Sequence, residues 1–307
     1  MGNVRFRLLG WNVLYVVLLL SILSVFSIIT AAFLMVPLLY LYVKLPGKQF
    51  AVHYISCLVA VYILTGLVYP GWLSAFLMSV SLFFLPAVIQ MGNLYKKKAP
   101  ARTVVTAGTV TLLVELLLSL VVGYLLGFNL VARMKQFMRS SLETLPAQFK
   151  TMFTMDQDLL IQLSSQMLPL YMIGFSFFYV VITHFLTRRS LNKNGENIPG
   201  FKRIRDWKLP KSLVWYYMIA LIMEHFVRDV NSVMFSILLN LVPILTFVFA
   251  VQGIAFLFYL AHRKKWNRTL PIAGIVLFVL FPPIFFILSL LGVFDVAFPI
   301  RERITSK

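Results

Sequence analysis

Of the chain's 307 residues, 60% are hydrophobic and only 12% charged, so most of them must lie in lipid or against other buried helices, leaving no room for a separate soluble domain. A net charge of +18 would point to nucleic acid in a soluble chain, but these cations cluster at the ends of apolar runs, as topology signals and headgroup contacts, so no nucleic-acid partner is expected. Cys57, the one cysteine, sits in an apolar run, which excludes intrachain disulfides and thiolate metal clusters.

From Leu8 to Val43 no side chain is charged, directly behind Arg5 and Arg7 and ahead of Lys44. As one helix this stretch would be about 50 Å long, against a hydrocarbon core of about 30 Å. The cluster Ser27, Thr30, Ala31, Ala32 and then Pro37 therefore predict two passes, or one pass and a bent, short second helix, with segments 9–29 and 31–43. The run is too long for a cleaved signal peptide and reads as a retained anchor. Segments 50–69 and 71–93 follow, separated by the Tyr69-Pro70-Gly71 turn, and then 103–126.

The connection after Phe128 differs in kind. Leu130, Met134, Phe137, Met138, Leu142 and Leu145 recur at steps of three and four residues, while Arg133, Lys135, Gln136, Arg139 and Ser140 take the other face. This pattern predicts an amphipathic helix ending at Pro146, and Phe149, Met152, Phe153, Leu160 and Leu163 predict a second. The stretch 129–163 is expected to lie in the membrane interface, either filling a gap between helices or covering a cavity open to the outside.

Segments 166–187, 212–227, 233–261 and 270–292 complete the chain, giving nine spans, or eight if the first pair or the segment near 212 merges. The fold class is all-α, a polytopic transmembrane bundle. It divides into a six-helix core (1–190), a basic cytoplasmic loop (191–211) and a C-terminal three-helix region (212–307). With nine passes and a cytoplasmic N-terminus, the clusters Lys96 to Arg102, Arg188 to Lys211 and His262 to Arg268 all fall on the cytoplasmic side of a cell membrane. In the second cluster Arg188, Arg189, Arg203, Arg205 and Trp207 are the expected contacts to a protein partner or to headgroups. Trp207, bounded by charges before a helix, is an interfacial anchor.

Ionisable groups inside spans are costly and so worth weighing. Glu115 lies amid leucines, where a carboxyl must face a partner, line a cavity or hold a proton; it is the first candidate for solute contact. Asn240 and Gln252, about 18 Å apart along one helix, are candidates for solute contact or for bonds between helices. Glu224 and Arg228, and His225 and Asp229, are spaced to pair on a helix surface at a membrane boundary. Pro243 and Pro282-Pro283 predict bends or broken helices. No metal site and no cofactor are expected. The chain carries no GxxxxGK[ST], HExxH, GxSxG or paired-aspartate motif, so neither an enzyme nor self-powered ATP-driven transport is expected.

Trp207-Lys208-Leu209-Pro210, Asn240 followed by Gln252-Gly253, and Leu291-Gly292-Val293-Phe294-Asp295 with Arg301 resemble the pattern of YybS-like proteins, polytopic membrane proteins of mainly Gram-positive bacteria. The resemblance covers essentially the whole chain. That family is in turn similar to the substrate-binding (S) subunits of energy-coupling-factor vitamin transporters. The likeness implies that the first six helices capture a small solute from outside and that a separate membrane subunit supplies the energy. Such subunits dock their partner through an Ala-x-x-x-Ala face in the first helix, where this chain offers Ser27 and Ala31. The alternative expectation is a membrane scaffold or regulatory partner docking through the basic loop.

Overall fold

The computed structural model describes residues 2–146, 156–265, 269–281, 283–298 and 300–305. Among them there is no strand, and the helices are α1 (Gly2–Ser21), α2 (Ser27–Ala31), α3 (Met35–Lys44), α4 (Gly47–Gly66), α5 (Gly71–Lys96), α6 (Ala101–Leu125), α7 (Leu130–Glu143), α8 (Gln157–Gln166), α9 (Leu168–Asn192), α10 (Ser212–Phe226), α11 (Val233–Arg263), α12 (Thr269–Leu280), α13 (Ile284–Ala297) and α14 (Ile300–Thr305). Among the described residues six helical stretches are long and apolar enough to cross a membrane: Ser27–Lys44, Gly47–Gly66, Gly71–Lys96, Ala101–Leu125, Leu168–Asn192 and Val233–Arg263. Phe6–Ser21, Ser212–Phe226 and Ile284–Ala297 are shorter apolar helices, and the protein is an all-helical, multi-pass membrane protein in contact with the bilayer.

Each expected segment thus meets a helix, with corrections at the breaks. The helix breaks twice: at Ser21 to Ser27, where Ser21 and Ser24 turn their hydroxyls back onto the carbonyls of Leu18 and Ser21 at 2.7 and 2.6 Å, and again between Ala31 and Met35, at the expected cluster. Pro37 causes no break, since it stands in the first turn of α3, where its missing N–H has no partner to lose. Pro243 is likewise carried inside α11, whereas the last segment is broken, with α12 ending at Leu280 and α13 starting at Ile284. Of the second amphipathic pattern, Leu160 and Leu163 lie on α8, while Phe149, Met152 and Phe153 lie outside the described residues.

The chain forms two units, one of Met1–Leu130 with Met172–Phe201, the other of Val131–Tyr171 with Lys202–Lys307. In the first unit α3 is the centre: every residue from Met35 to Leu41 is buried, as a helix apolar on all sides requires. α1, α4 and α5 pack around it, and α6 packs on α5. Several polar groups inside this unit pair with one another or with the backbone. Tyr15 and Tyr54 both reach Ser81 Oγ, at 2.5 and 2.7 Å, Thr65 meets Ser74 at 2.6 Å, and Tyr179 donates to the Ala31 carbonyl. Ile55, Val59, Tyr62 and Ile63 form an exposed apolar face suited to lipid.

In the second unit α11 and α13 form the main pair, joined by α10 and α12. Their backbones touch. A Cβ on Gly253 would stand 2.1 Å from the Leu288 carbonyl oxygen, and one on Gly292 would stand 1.9 Å from that of Phe249, so only glycine fits at either place. α7 is amphipathic as expected, with Phe137 72% exposed, and Arg139 ties it to Asp158 at the start of α8 at 2.5 Å. The expected pairs Glu224–Arg228 and His225–Asp229 do not form. α10 ends at Phe226, so Arg228 and Asp229 lie off the helix, and Asp229 instead accepts from the Asn231 N–H at 2.9 Å ahead of α11.

Candidate functional site

Glu115 extends the buried stripe of α6, after Val104, Val105, Gly108 and Leu112 at steps of three and four. Gly108 permits close approach, since a Cβ there would lie 2.8 Å from the Met91 side chain of α5 and 3.0 Å from Val180 of α9. Two turns further, about 10 Å along the axis, the Glu115 carboxyl faces the Ala87 backbone of α5, one residue past Pro86. Both its oxygens are shielded from solvent, and among the described residues neither has a hydrogen bond in good geometry.

α9 supplies more polar atoms of this kind. Ser176, Thr183 and His184 are all buried, and Ser176 Oγ, Thr183 Oγ1 and His184 Nε2 have no partner among the described residues. His184 Nδ1 is engaged by Tyr95 Oη of α5 at 2.7 Å, which fixes the ring and leaves Nε2 as the free nitrogen. The sequence reasoning missed His184, although the signal was that used for Glu115, an ionisable group in an apolar run. Beside these residues Phe84 of α5 stacks on Tyr179 of α9 with centroids 4.8 Å apart.

Asn240 and Gln252 belong to the second unit and do not share a site with each other. Asn240 Nδ2 donates to the carbonyls of Gln166 and Ser236 at 2.9 and 2.7 Å, and its Oδ1 accepts from the Leu170 N–H at 2.9 Å. It thus satisfies the backbone where α8 gives way to α9 at Met167. Gln252 is 2% exposed, and its Nε2 donates to Asp295 Oδ2 at 2.5 Å and to the Trp207 carbonyl at 3.2 Å.

Asp295 is the hub of the strongest polar cluster. Arg301 grips its carboxylate with both arms of the guanidinium, Nε to Oδ1 at 2.7 Å and Nη2 to Oδ2 at 2.6 Å, while Nη1 donates to the Arg205 carbonyl at 2.8 Å. The guanidinium also lies over the Tyr259 ring, 4.9 Å from its centroid, and Tyr259 Oη donates to the Arg301 carbonyl at 3.0 Å. Arg205 and Trp207 therefore meet this cluster through their backbones.

The remaining loop residues divide by environment. Arg188 Nε donates to the Ile198 carbonyl at 2.9 Å, folding the start of the loop back on α9. Arg189 is exposed, and Arg203 lies 3.7 Å from Asp206 with its side chain 76% exposed. Trp207 Nε1 donates to the Lys202 carbonyl at 2.9 Å. No group of three His, Cys, Asp or Glu side chains placed to hold a metal ion occurs among the described residues.

Comparison with known proteins agrees with this architecture. The chain is 23% identical over 227 residues to the uncharacterized protein YybS of Bacillus subtilis (strain 168), covering 71% of this chain and 73% of that protein. No solved structure matches it. The model of the family described as predicted membrane protein (DUF2232) matches residues 13–296, and the chain belongs to that family.

Proposed function

We propose that the protein captures a small solute within the membrane and relies on a partner subunit for energy, with Glu115 as the solute's main anchor. The observation that supports this best is the Glu115 carboxyl itself, held inside a span with both oxygens unpartnered among the described residues. Such a group is costly in a bilayer and is kept where a cavity, a proton or a cationic ligand group uses it. The unpartnered atoms of Ser176, Thr183 and His184 add hydrogen-bonding capacity on α9 of the same unit. Six apolar helical segments, α1, α2 with α3, α4, α5, α6 and α9, lie wholly or mainly in that unit, as a six-helix solute-binding core of the S-subunit type requires. In this reading the N-terminus is cytoplasmic, the solute arrives from outside, and the chain performs no covalent chemistry.

Native mass spectrometry of the protein gently extracted from its own membrane tests this. A defined small-molecule adduct, lost in Glu115→Gln and kept in Glu115→Asp, is the expected result. An adduct unchanged in Glu115→Gln refutes the assignment.

The second reading is a membrane scaffold or regulatory protein docking an acidic partner on the basic loop. It is favoured by the exposure of Arg189 and Arg203. Arg203→Glu should then release a co-purifying protein, and full retention of every partner refutes it.

A further inference from the structure

We propose that α1 carries a binding site for one anionic phospholipid, separate from Glu115. An open groove of about 460 Å³ runs along α1, lined by Phe6, Arg7, Gly10, Trp11 and Leu14. Phe6, Gly10 and Leu14 form one row at steps of four, with Arg7 and Trp11 in the next row. Gly10 makes the floor: a Cβ built there meets nothing within 4 Å, so the protein's own packing leaves this space open.

The walls are anchored to the core. Arg7 Nη1 donates to Asn194 Oδ1, and Asn194 Nδ2 donates in turn to Tyr40 Oη at 2.9 Å and to the Ser190 carbonyl at 2.8 Å. Tyr40, 2% exposed, stacks on Trp11 with centroids 4.4 Å apart. The ring Arg7–Asn194–Tyr40–Trp11 therefore closes on itself and fixes both the guanidinium and the indole before any ligand arrives. A guanidinium has five N–H donors in a planar fork suited to phosphate, and the bond to Asn194 uses one arm.

Polarity along the groove specifies an amphiphile. Arg7 is the last charge before the uncharged run from Leu8 to Val43, which sets it at headgroup level, while Leu14 lies about 10 Å deeper. A phosphodiester on Arg7 would lay its acyl chain over Gly10 toward Leu14, beside Trp11 and the exposed Phe6. The chain's net charge of +18 favours an anionic headgroup over a zwitterionic one. A soluble phosphate could use the arginine but gains nothing from the apolar floor.

The test is native mass spectrometry of the full chain titrated with phosphatidylglycerol or with phosphatidylcholine of the same acyl chains, with inorganic phosphate as competitor. The wild type should retain one phosphatidylglycerol about tenfold better than phosphatidylcholine, the scale of one charge-assisted contact. Arg7→Gln should erase that preference, and Gly10→Leu should reduce retention of both lipids with an unchanged melting temperature. The proposal is overturned if the preference survives Arg7→Gln or if Gly10→Leu retains lipid like the wild type. Displacement of the lipid by millimolar inorganic phosphate also overturns it, in favour of a soluble anion.

Discussion

Replacing Arg301 by Gln removes the guanidinium that grips Asp295, whose side chain is fully buried while that of Arg301 is 13% exposed. The carboxylate then keeps the Gln252 amide as its neighbour but loses its only counter-ion within 4 Å among the described residues. Leaving one member of a buried, doubly hydrogen-bonded pair uncompensated costs about 3–5 kcal/mol, whereas an exposed pair is worth about 1 kcal/mol or less. The released Arg205 carbonyl adds to the cost, since it loses its 2.8 Å donor. Reversible unfolding in mixed micelles, followed by tryptophan fluorescence, should show a loss of about two to four powers of ten in the folding equilibrium. Adding Asp295→Asn to Arg301→Gln should recover most of it, because both charges are then gone and the remaining amides can bond each other. A loss of less than about 1 kcal/mol in Arg301→Gln, or a double variant no more stable than the single one, refutes the reasoning.

Three further outcomes follow from the packing. Gly292→Ala should destabilise the fold by about 1–3 kcal/mol or more, because the added methyl meets the Phe249 carbonyl and must push α13 from α11; Gly10→Ala, with open space around it, should change the melting temperature little. Asn240→Ala strands the Leu170 N–H and the Gln166 carbonyl where α8 ends, and should cost about 1–3 kcal/mol by the same unfolding assay while leaving solute retention intact.

The spans were legible because each is a local run of apolar residues bounded by charges, turns or prolines, and Pro282-Pro283 announced its break correctly. The earlier break at Ser21 to Ser27 was not legible, since serine is only a weak breaker and what mattered was the hydroxyls of Ser21 and Ser24 turning back onto the preceding carbonyls. The Glu224 and Asp229 pairings failed because spacing predicts contact only while the helix lasts, and α10 stops at Phe226. Gln252 was singled out from the sequence, but not its partners: Asp295 is 43 residues away, and the two meet only because Gly253 and Gly292 let the backbones of α11 and α13 touch. The glycine in Gln252-Gly253 and the one three residues before Asp295 were the local trace of that crossing.

The division of the chain has a consequence for biogenesis. The two units alternate along the polypeptide, Met1–Leu130, Val131–Tyr171, Met172–Phe201 and Lys202–Lys307 in turn. No single cut frees either one. A ribosome that has delivered 171 residues has begun both units and finished neither, and the first closes only when Tyr179 emerges to reach back 148 positions to Ala31. The early helices must therefore wait in the bilayer with the groove for α9 unfilled, shielded by lipid or by the insertion machinery, and fragments designed to isolate one unit need two pieces of chain supplied together.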